Sequence, residues 1–132
     1  MRTDTETIMA SDPRRAALLR CLCLLLATAV VFQLFYLGSQ PFAAGLVSAP
    51  WDKLAHLAVY SAITALLWTG TGGSMPALVV AVVIVIGALD ELHQAGVPGR
   101  RAEMGDFLMD VCAGVGAGIA MLLYARTKKR NL

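Results

Sequence analysis

Residues able to bind ligands or transfer protons recur at helical spacing in the middle of this chain. Lys53, His56 and Tyr60 follow one another at positions i, i+3 and i+7, which places their side chains on one face of a helix. Lysine and histidine can donate hydrogen bonds to a phosphate or a carboxylate, and histidine can also bind a metal ion or act as an acid or base. This face is therefore the first candidate for a binding or catalytic site.

Acidic residues further along the chain complete the pattern. Glu91 and Gln94 are three residues apart, and Asp106 and Asp110 are four apart, so the members of each pair share a helical face. Two carboxylates one turn apart repel each other unless a cation lies nearby or one of them is protonated. The basic residues available for that purpose are Lys53, Arg100 and Arg101.

The composition indicates the surroundings of these residues. Of the 132 residues, 58% are hydrophobic and 15% are charged, whereas soluble domains usually have about 45–50% and about 25%. A single small domain cannot bury that much apolar surface, because about a third of the area of its unfolded chain stays exposed. The chain is therefore predicted to be an all-α membrane protein with the lipid bilayer as its main partner.

The charge and the cysteines argue against other classes of protein. The net charge is +2, and the basic residues cluster at the two ends without interleaved aromatic residues, so no nucleic-acid partner is predicted. Cys21, Cys23 and Cys112 lie inside apolar runs, where a thiol behaves as a small hydrophobic group. No disulfide, thiolate metal site or cofactor is predicted.

Four apolar stretches, separated by glycine and proline, fit membrane-spanning helices, for which about 20 residues suffice. We expect a four-transmembrane-helix bundle forming one domain, residues 14–126, between a disordered tail at 1–13 and a basic tail at 127–132. The predicted helices cover residues 16–38, 54–70, 75–95 and 105–125.

A signal peptide is the alternative interpretation of the first stretch. Val47-Ser48-Ala49 resembles a cleavage site, but Pro50 follows it directly. The stretch is also longer than the apolar region of a typical signal peptide, which has about 7–15 residues. We therefore interpret it as an uncleaved anchor.

Basic residues near the helix ends predict the orientation. With four spans both termini lie on one side, and the heavier load of lysine and arginine places that side in the cytoplasm. Eight of the eleven basic residues lie towards the two ends of the chain, namely Arg2, Arg14, Arg15, Arg20, Arg126, Lys128, Lys129 and Arg130.

In this topology the second helix begins, the third ends and the fourth begins on the outer side, so their polar residues meet there. An ionisable group inside a membrane is costly and is expected to point into the bundle and pair with another. Asp90, His93 and Tyr60 fit either a site role or a structural role, whereas Arg101 and Glu103 are interpreted as solvated boundary residues. The predicted polar cluster comprises Asp52, Lys53, His56, Tyr60, Glu91, Gln94, Arg100, Asp106 and Asp110.

The motifs around these residues resemble the VanZ-like family of bacterial membrane proteins. The resemblance rests on DKLAHLAVY at 52–60, ELHQAGVPGR at 91–100, and Asp106 before a glycine-rich helix. It covers roughly residues 50–120 and implies a multi-pass protein of the bacterial cytoplasmic membrane. Asp110 departs from the family, whose members often have asparagine there. The functional residues that the resemblance implies are Asp52, Lys53, His56, Tyr60, Glu91, Gln94, Arg100 and Asp106.

Two functions compete for the cluster. The first is a non-catalytic outward site that binds a lipid or envelope headgroup. The family's name-giving member is associated with resistance to the glycopeptide teicoplanin, so a link to resistance is a hypothesis for this chain. The second is a membrane-embedded hydrolase acting on a lipid-linked phosphate, with histidines and carboxylates as metal ligands or acid and base. No recognised ligand spacing such as His-Glu-x-x-His is present, so no metal site is predicted. Ion transport is disfavoured, because the inner helix halves offer only Ser61, Thr64 and Thr69. The sequence does not predict an oligomeric state.

Overall fold

Four long helices joined by short loops make up the structure. The computed structural model describes residues 12–43 and 45–130, and within these ranges there is no β-strand. A 3-10 turn at Pro41–Ala43 lies in the first loop. The predicted all-α architecture of four helices is thus confirmed for the described residues. The helices are α1, Pro13–Gly38; α2, Trp51–Gly70; α3, Pro76–Ala95; and α4, Met104–Arg130.

Local sequence determines where the helices begin and end. Asp12 caps α1, since its side chain accepts a hydrogen bond from the backbone N–H of Arg14 at 2.9 Å, and proline occupies the first position of both α1 and α3. The turn after α2 contains Gly72 and Gly73 with φ of 65° and 70°. Glycine adopts this left-handed conformation without the steric cost of a Cβ atom, which allows α3 to turn back against α2.

The observed ends differ from the predicted ones mainly in α4. This helix was expected at 105–125 but continues to Arg130, so the basic tail predicted at 127–132 is helical as far as the structure describes it. Basic residues in the last turn favour a helix because they interact with its carbonyl end. Asp12 and Pro13 belong to the start of α1 and not to a disordered tail, while residues 1–11 lie outside the described residues.

Three of the four helices, α1, α3 and α4, are long and apolar enough to cross a membrane. α2 is not among them, because polar residues in its first two turns lower the hydropathy of any stretch of spanning length. The outward surfaces are apolar: Leu25, Phe32 and Leu92 are 62%, 69% and 71% exposed. Apolar surface of this extent is unusual on a water-soluble monomer. Together these observations indicate a multi-pass membrane protein.

The helix that falls short of the hydropathy of a membrane span, α2, lies at the centre of the bundle. α2 packs against α1, α3 and α4, with its most extensive contact on α4. The core consists of Tyr60 and Ile63 from α2, Val83 from α3 and Ala113 from α4. Because three helices pack against it, α2 can carry polar side chains on the faces they cover without exposing them to lipid.

Glycines on α4 allow it to approach α3 closely. A Cβ atom added to Gly114 would lie 3.0 Å from Val83 Cγ1, and one added to Gly118 would lie 2.9 Å from Val80 Cγ2. The Gly114-x-x-x-Gly118 pattern therefore serves packing within the chain. Gly116, between them, is exposed and has no neighbouring atom within 4 Å of such a Cβ.

A leucine at position 118 is expected to destabilise the bundle. Gly118→Leu forces a side chain into the space of Val80, and overpacking of this kind costs about 1–3 kcal/mol. The thermal midpoint of the purified protein in detergent should fall. Gly116→Leu is the matched control on the same helix and should leave the midpoint unchanged or raise it, because glycine is a poor helix former. Equal midpoints for the two variants would contradict close packing of α3 on α4.

Candidate functional site

Three donor side chains on one face of α2 each contact a carboxylate of α3 or α4. We call this arrangement the polar ladder. The helical spacing of its α2 members predicted a shared face, and the structure adds the partner of each one. The three rungs are Lys53 with Asp106, His56 with Asp110, and Tyr60 with Asp90.

Lys53 forms the first rung and balances several acidic groups. Its Nζ donates a hydrogen bond to Asp106 Oδ1 at 3.0 Å and lies 3.7 Å from Asp52 Oδ2 and 3.5 Å from Glu103 Oε2. The hydrogen bond to Asp106 and the negative charges of Asp52 and Glu103 all favour the charged form of the lysine. Lys53 is therefore held in its charged form and supplies the cation that Asp106 requires.

His56 forms the second rung, one turn further along α2. Its Nδ1 lies 2.9 Å from Asp110 Oδ1, and its Nε2 lies 4.0 Å from Asp106 Oδ2. An ionised carboxylate can only accept hydrogen bonds, so this contact favours the proton on Nδ1. The two carboxylates that the sequence placed one turn apart thus have different partners, Lys53 for Asp106 and His56 for Asp110.

Tyr60 forms the third and deepest rung with Asp90. The Tyr60 hydroxyl donates to Asp90 Oδ2 at 3.3 Å, and Gln94 Nε2 donates to the same oxygen at 3.0 Å. Asp90 and Tyr60 are both fully buried, at 0% exposure. The rings of His56 and Tyr60 are parallel, with centroids 6.0 Å apart. Asp90 is therefore central to the site, although the sequence left its role open; its spacing of four from Gln94 was the available signal.

Glu91 and Arg100 hold the loop between α3 and α4 in place. Glu91 Oε2 accepts a hydrogen bond from the backbone N–H of Glu103 at 2.7 Å. Arg100 Nη1 donates to the backbone carbonyl of Gly38 at 3.1 Å, which ties the loop to the last residue of α1. Both predicted residues thus belong to the site, and both have a positioning role.

The end of α1 contributes contacts that the sequence did not suggest. A Cβ atom on Gly38 would lie 3.7 Å from Arg100 Nη1, 3.8 Å from His93 Nδ1 and 3.9 Å from Asp90 Oδ1. The ring of His93 also packs on Phe35, with centroids 5.4 Å apart. Neither Gly38 nor Phe35 carries a charge or a motif, so only the helix arrangement reveals them.

A cavity of about 660 Å³ lies between α1, α2, α3 and the loops at 39–50 and 96–103. One wall is apolar and comes from Val30, Leu34, Leu37 and Val59. A cleft with an apolar wall and a few convergent polar groups suits a ligand that has both an apolar and a polar part. Its polar lining comprises Gln33, Asp52, His56, Asp90, Gln94, Arg100, Arg101, Glu103 and Asp106.

The predicted cluster divides into residues that line the cavity and residues that support the lining. The supporting residues do not border the cavity themselves, and each contacts a residue that does. They are Lys53, Tyr60, Glu91 and Asp110, whose partners are Asp106, Asp90, Glu103 and His56, respectively. Arg101 and Glu103, interpreted from the sequence as boundary residues, both lie on the cavity. The lining residues from the predicted cluster are Asp52, His56, Gln94, Arg100 and Asp106.

Two groups of side chains bring potential metal ligands together, with one ligand atom of each member within 4.8 Å of the others. In the group of Asp52, Glu103 and Asp106, the ammonium of Lys53 already occupies the position of a cation. The other group combines His56 with two buried carboxylates. The site can therefore provide hydrogen-bond donors, a histidine oriented by a carboxylate, and oxygen ligands.

Comparison with known proteins gives no further guide to this chain. No protein-family model, curated protein or solved structure matches it. The geometry of the polar ladder and the cavity is therefore the main basis for an inference about function.

Removal of the Tyr60 hydroxyl is expected to destabilise the protein. In Tyr60→Phe the buried Asp90 Oδ2 keeps Gln94 as its one remaining donor, and loss of a partner at a buried polar group costs about 1–3 kcal/mol. Thermal unfolding in detergent should shift to lower temperature. The matched control is Tyr124→Phe, since Tyr124 is 70% exposed. A Tyr60→Phe midpoint equal to that of the control would rule out a structural role for the third rung.

Proposed function

We propose that this chain is a bacterial multi-pass membrane protein whose polar cavity binds the anionic headgroup of an envelope lipid. The cavity carries this proposal, because an apolar wall and a set of basic and polar groups line the same half-open space. Acyl or isoprenoid chains suit the wall formed by Val30 and Leu34, and a phosphate or carboxylate suits the end at Arg100, Arg101 and His56.

The charges within the site favour the arginines as the groups that bind an anion. Lys53, an obvious candidate from the sequence, is shared by three carboxylates and does not border the cavity. Arg100 uses Nη1 to bind the Gly38 carbonyl, which leaves further N–H groups of its guanidinium for a ligand. Arg101 is exposed on the cavity and forms no ion pair within residues 12–43 and 45–130, so it can bind an incoming anion directly. Gln94 and Asp90 can position hydroxyl or amine groups of the same headgroup.

We extend the proposal to the arrangement in the bilayer, with α2 as a fourth spanning helix and both termini in the cytoplasm. α2 and α3 each have 20 residues, about 30 Å of helix, which matches the hydrocarbon thickness of a bilayer. The end of α1, the start of α2, the end of α3 and the start of α4 all meet at the site. Since the basic ends of the chain favour the cytoplasm, the cavity then opens on the outer leaflet of the cytoplasmic membrane.

The resemblance to the VanZ-like family is consistent with this proposal. The two motifs that carry it supply Lys53, His56 and Tyr60 on α2 and Glu91 and Gln94 on α3, which meet at one site. A headgroup-binding function would give these residues a common purpose. A link to glycopeptide resistance is a hypothesis that rests on the resemblance alone.

A membrane-embedded hydrolase acting on a lipid-linked phosphate is the second candidate. The specific observation in its favour is the His56–Asp110 contact of 2.9 Å beside the cavity. A histidine oriented by a carboxylate through one ring nitrogen can act as a general base through the other. In this alternative His56 would take a proton from a water molecule as its oxygen attacks the terminal phosphorus of a lipid-linked pyrophosphate. The phosphoanhydride bond would break, releasing inorganic phosphate and the lipid monophosphate, which would receive the proton, and Arg100 would stabilise the developing charge.

Arg101→Gln is expected to weaken binding of an anionic lipid about tenfold. A hydrogen bond to a charged group contributes about 1.5–3 kcal/mol, and about 1.4 kcal/mol corresponds to a factor of ten in Kd. Phosphatidylglycerol binding to the detergent-purified protein would be titrated by native mass spectrometry, with zwitterionic phosphatidylcholine as the reference lipid. Arg126→Gln, at the opposite end of α4, is the matched control and should bind like the wild type.

Equal affinity of both variants and the wild type for phosphatidylglycerol would contradict the proposed site. The same preparation would be incubated with a lipid-linked pyrophosphate, and inorganic phosphate would be measured. Phosphate release that is lost in His56→Gln would favour the hydrolase over the binding protein.

The proposed topology predicts that positions 48 and 74 lie on opposite sides of the membrane. Both serines are exposed in loops, so Ser48→Cys and Ser74→Cys form a matched pair in a background with Cys21, Cys23 and Cys112 replaced by alanine. A membrane-impermeant maleimide should label the cysteine at 48 in intact cells and the cysteine at 74 only after permeabilisation. Labelling of the cysteine at 74 in intact cells would overturn the cytoplasmic placement of the termini.

A further inference from the structure

Potential metal ligands from two helices converge on one point of the bundle. His56 of α2 and the adjacent residues Asp90 and Glu91 of α3 each bring one ligand atom to within 4.8 Å of the others. Ligands divided between two helices produce no local ligand motif. We expected no metal site because the sequence has no local ligand motif such as His-Glu-x-x-His, and a site shared between two helices does not produce such a motif.

The carboxylates at this point have unused ligand capacity. Asp90 and Asp110 are fully buried and Glu91 is 8% exposed. Among the described residues, the buried oxygens Asp90 Oδ1, Glu91 Oε1 and Asp110 Oδ2 have no hydrogen-bond partner. Buried polar atoms are nearly always paired, and an exception calls for a cause such as a bound ion.

His56 is held in the orientation that metal-binding histidines commonly show. Its Nδ1 lies 2.9 Å from Asp110 Oδ1, whereas its nearest carboxylate oxygen at Nε2, on Asp106, is 4.0 Å away. A carboxylate that binds one ring nitrogen fixes the tautomer and directs the lone pair of the other nitrogen towards a metal. With Asp110 on Nδ1, Nε2 is the ring nitrogen left for a metal.

The charges at this depth also favour a bound cation. Lys53 is already shared by carboxylates closer to the start of α2. Across residues 12–43 and 45–130, no lysine or arginine forms an ion pair with Asp90, Glu91 or Asp110. A buried carboxylate that stays ionised needs a positive partner or a metal, because the loss of hydration is not otherwise offset. A divalent ion would supply two positive charges among these three acids.

We infer that His56, Asp90 and Glu91 form a binding site for a divalent transition-metal ion such as Zn²⁺ or Mn²⁺. One imidazole and two carboxylates make a mixed nitrogen and oxygen set that suits these metals. Three protein ligands leave at least one coordination position open, and this position can face the cavity because His56 and Asp90 both line it. The site goes beyond headgroup binding and is tested by metal content alone.

The test measures metal uptake by the full-length, tag-free protein in detergent. The protein is stripped with a chelator, incubated with Zn²⁺ or Mn²⁺, separated from free metal by gel filtration, and analysed by mass spectrometry of the element. The wild type should hold one ion per chain. Glu91→Gln should raise the Kd for the metal at least tenfold. Glu103→Gln carries the same chemical change in the group that surrounds Lys53 and should bind the ion like the wild type.

The wild-type protein loaded with Zn²⁺ provides a test that requires no variant. X-ray absorption should show only nitrogen and oxygen neighbours at about 2.0–2.2 Å, including an imidazole, and no sulfur at about 2.3 Å. The inference is overturned if the wild type takes up no stoichiometric metal, if the spectrum lacks an imidazole, or if Glu103→Gln loses the metal while a folded Glu91→Gln retains it. Circular dichroism and gel filtration establish that each variant is folded.

Discussion

A carboxylate that leaves water for the interior of an apolar bundle must find donors there, because an unpaired buried charge is costly. Asp90 and Asp110 are in this position, and the side chains that reach them from α2 are Tyr60 and His56. This requirement fixes the register of α2 against α3 and α4. A shift of one residue along α2 would turn both donors by about 100° and leave the two acids without these partners.

The central position of α2 follows from the same requirement. A helix that carries three donors on one face is stable in a membrane protein only if neighbouring helices cover that face. α3 and α4 supply this cover, and small residues permit their close approach: a Cβ on Gly87 would lie 2.9 Å from Asp110 Cβ. The hydropathy of α2 is low for a spanning helix because the helix carries the polar side chains of the site. Its polar residues are directed at other helices.

The helices and the polar face of α2 could be predicted from the sequence, whereas the contacts between helices could not, for a physical reason. The four helices and the shared face of Lys53, His56 and Tyr60 depend on local hydropathy and spacing, which a sequence contains. The partner of each donor depends on which helices are neighbours, and that is a property of the packed bundle. The role of Asp90 in the site was left open because a charged residue near a helix end can simply mark the membrane interface. Gly38 was not predicted because glycine has no side chain that could indicate a binding or catalytic role. The extension of α4 to Arg130 could not be read from hydropathy, because basic residues end an apolar stretch without ending a helix.

The helix with the smallest buried fraction among the three apolar helices, α1, adjoins the cavity. In the apolar stretch of α1, 6% of the residues are buried, against 28% in α3 and 22% in α4, yet α1 supplies the wall formed by Val30, Leu34 and Leu37. A wall with few neighbours on its far side can move sideways among lipid tails at little cost. Under the proposed function, molecules with long hydrocarbon tails would enter laterally and would not need to pass through water. The fraction of cavities that hold a ligand would then depend on the abundance of such molecules within the membrane, not on their negligible solubility in water.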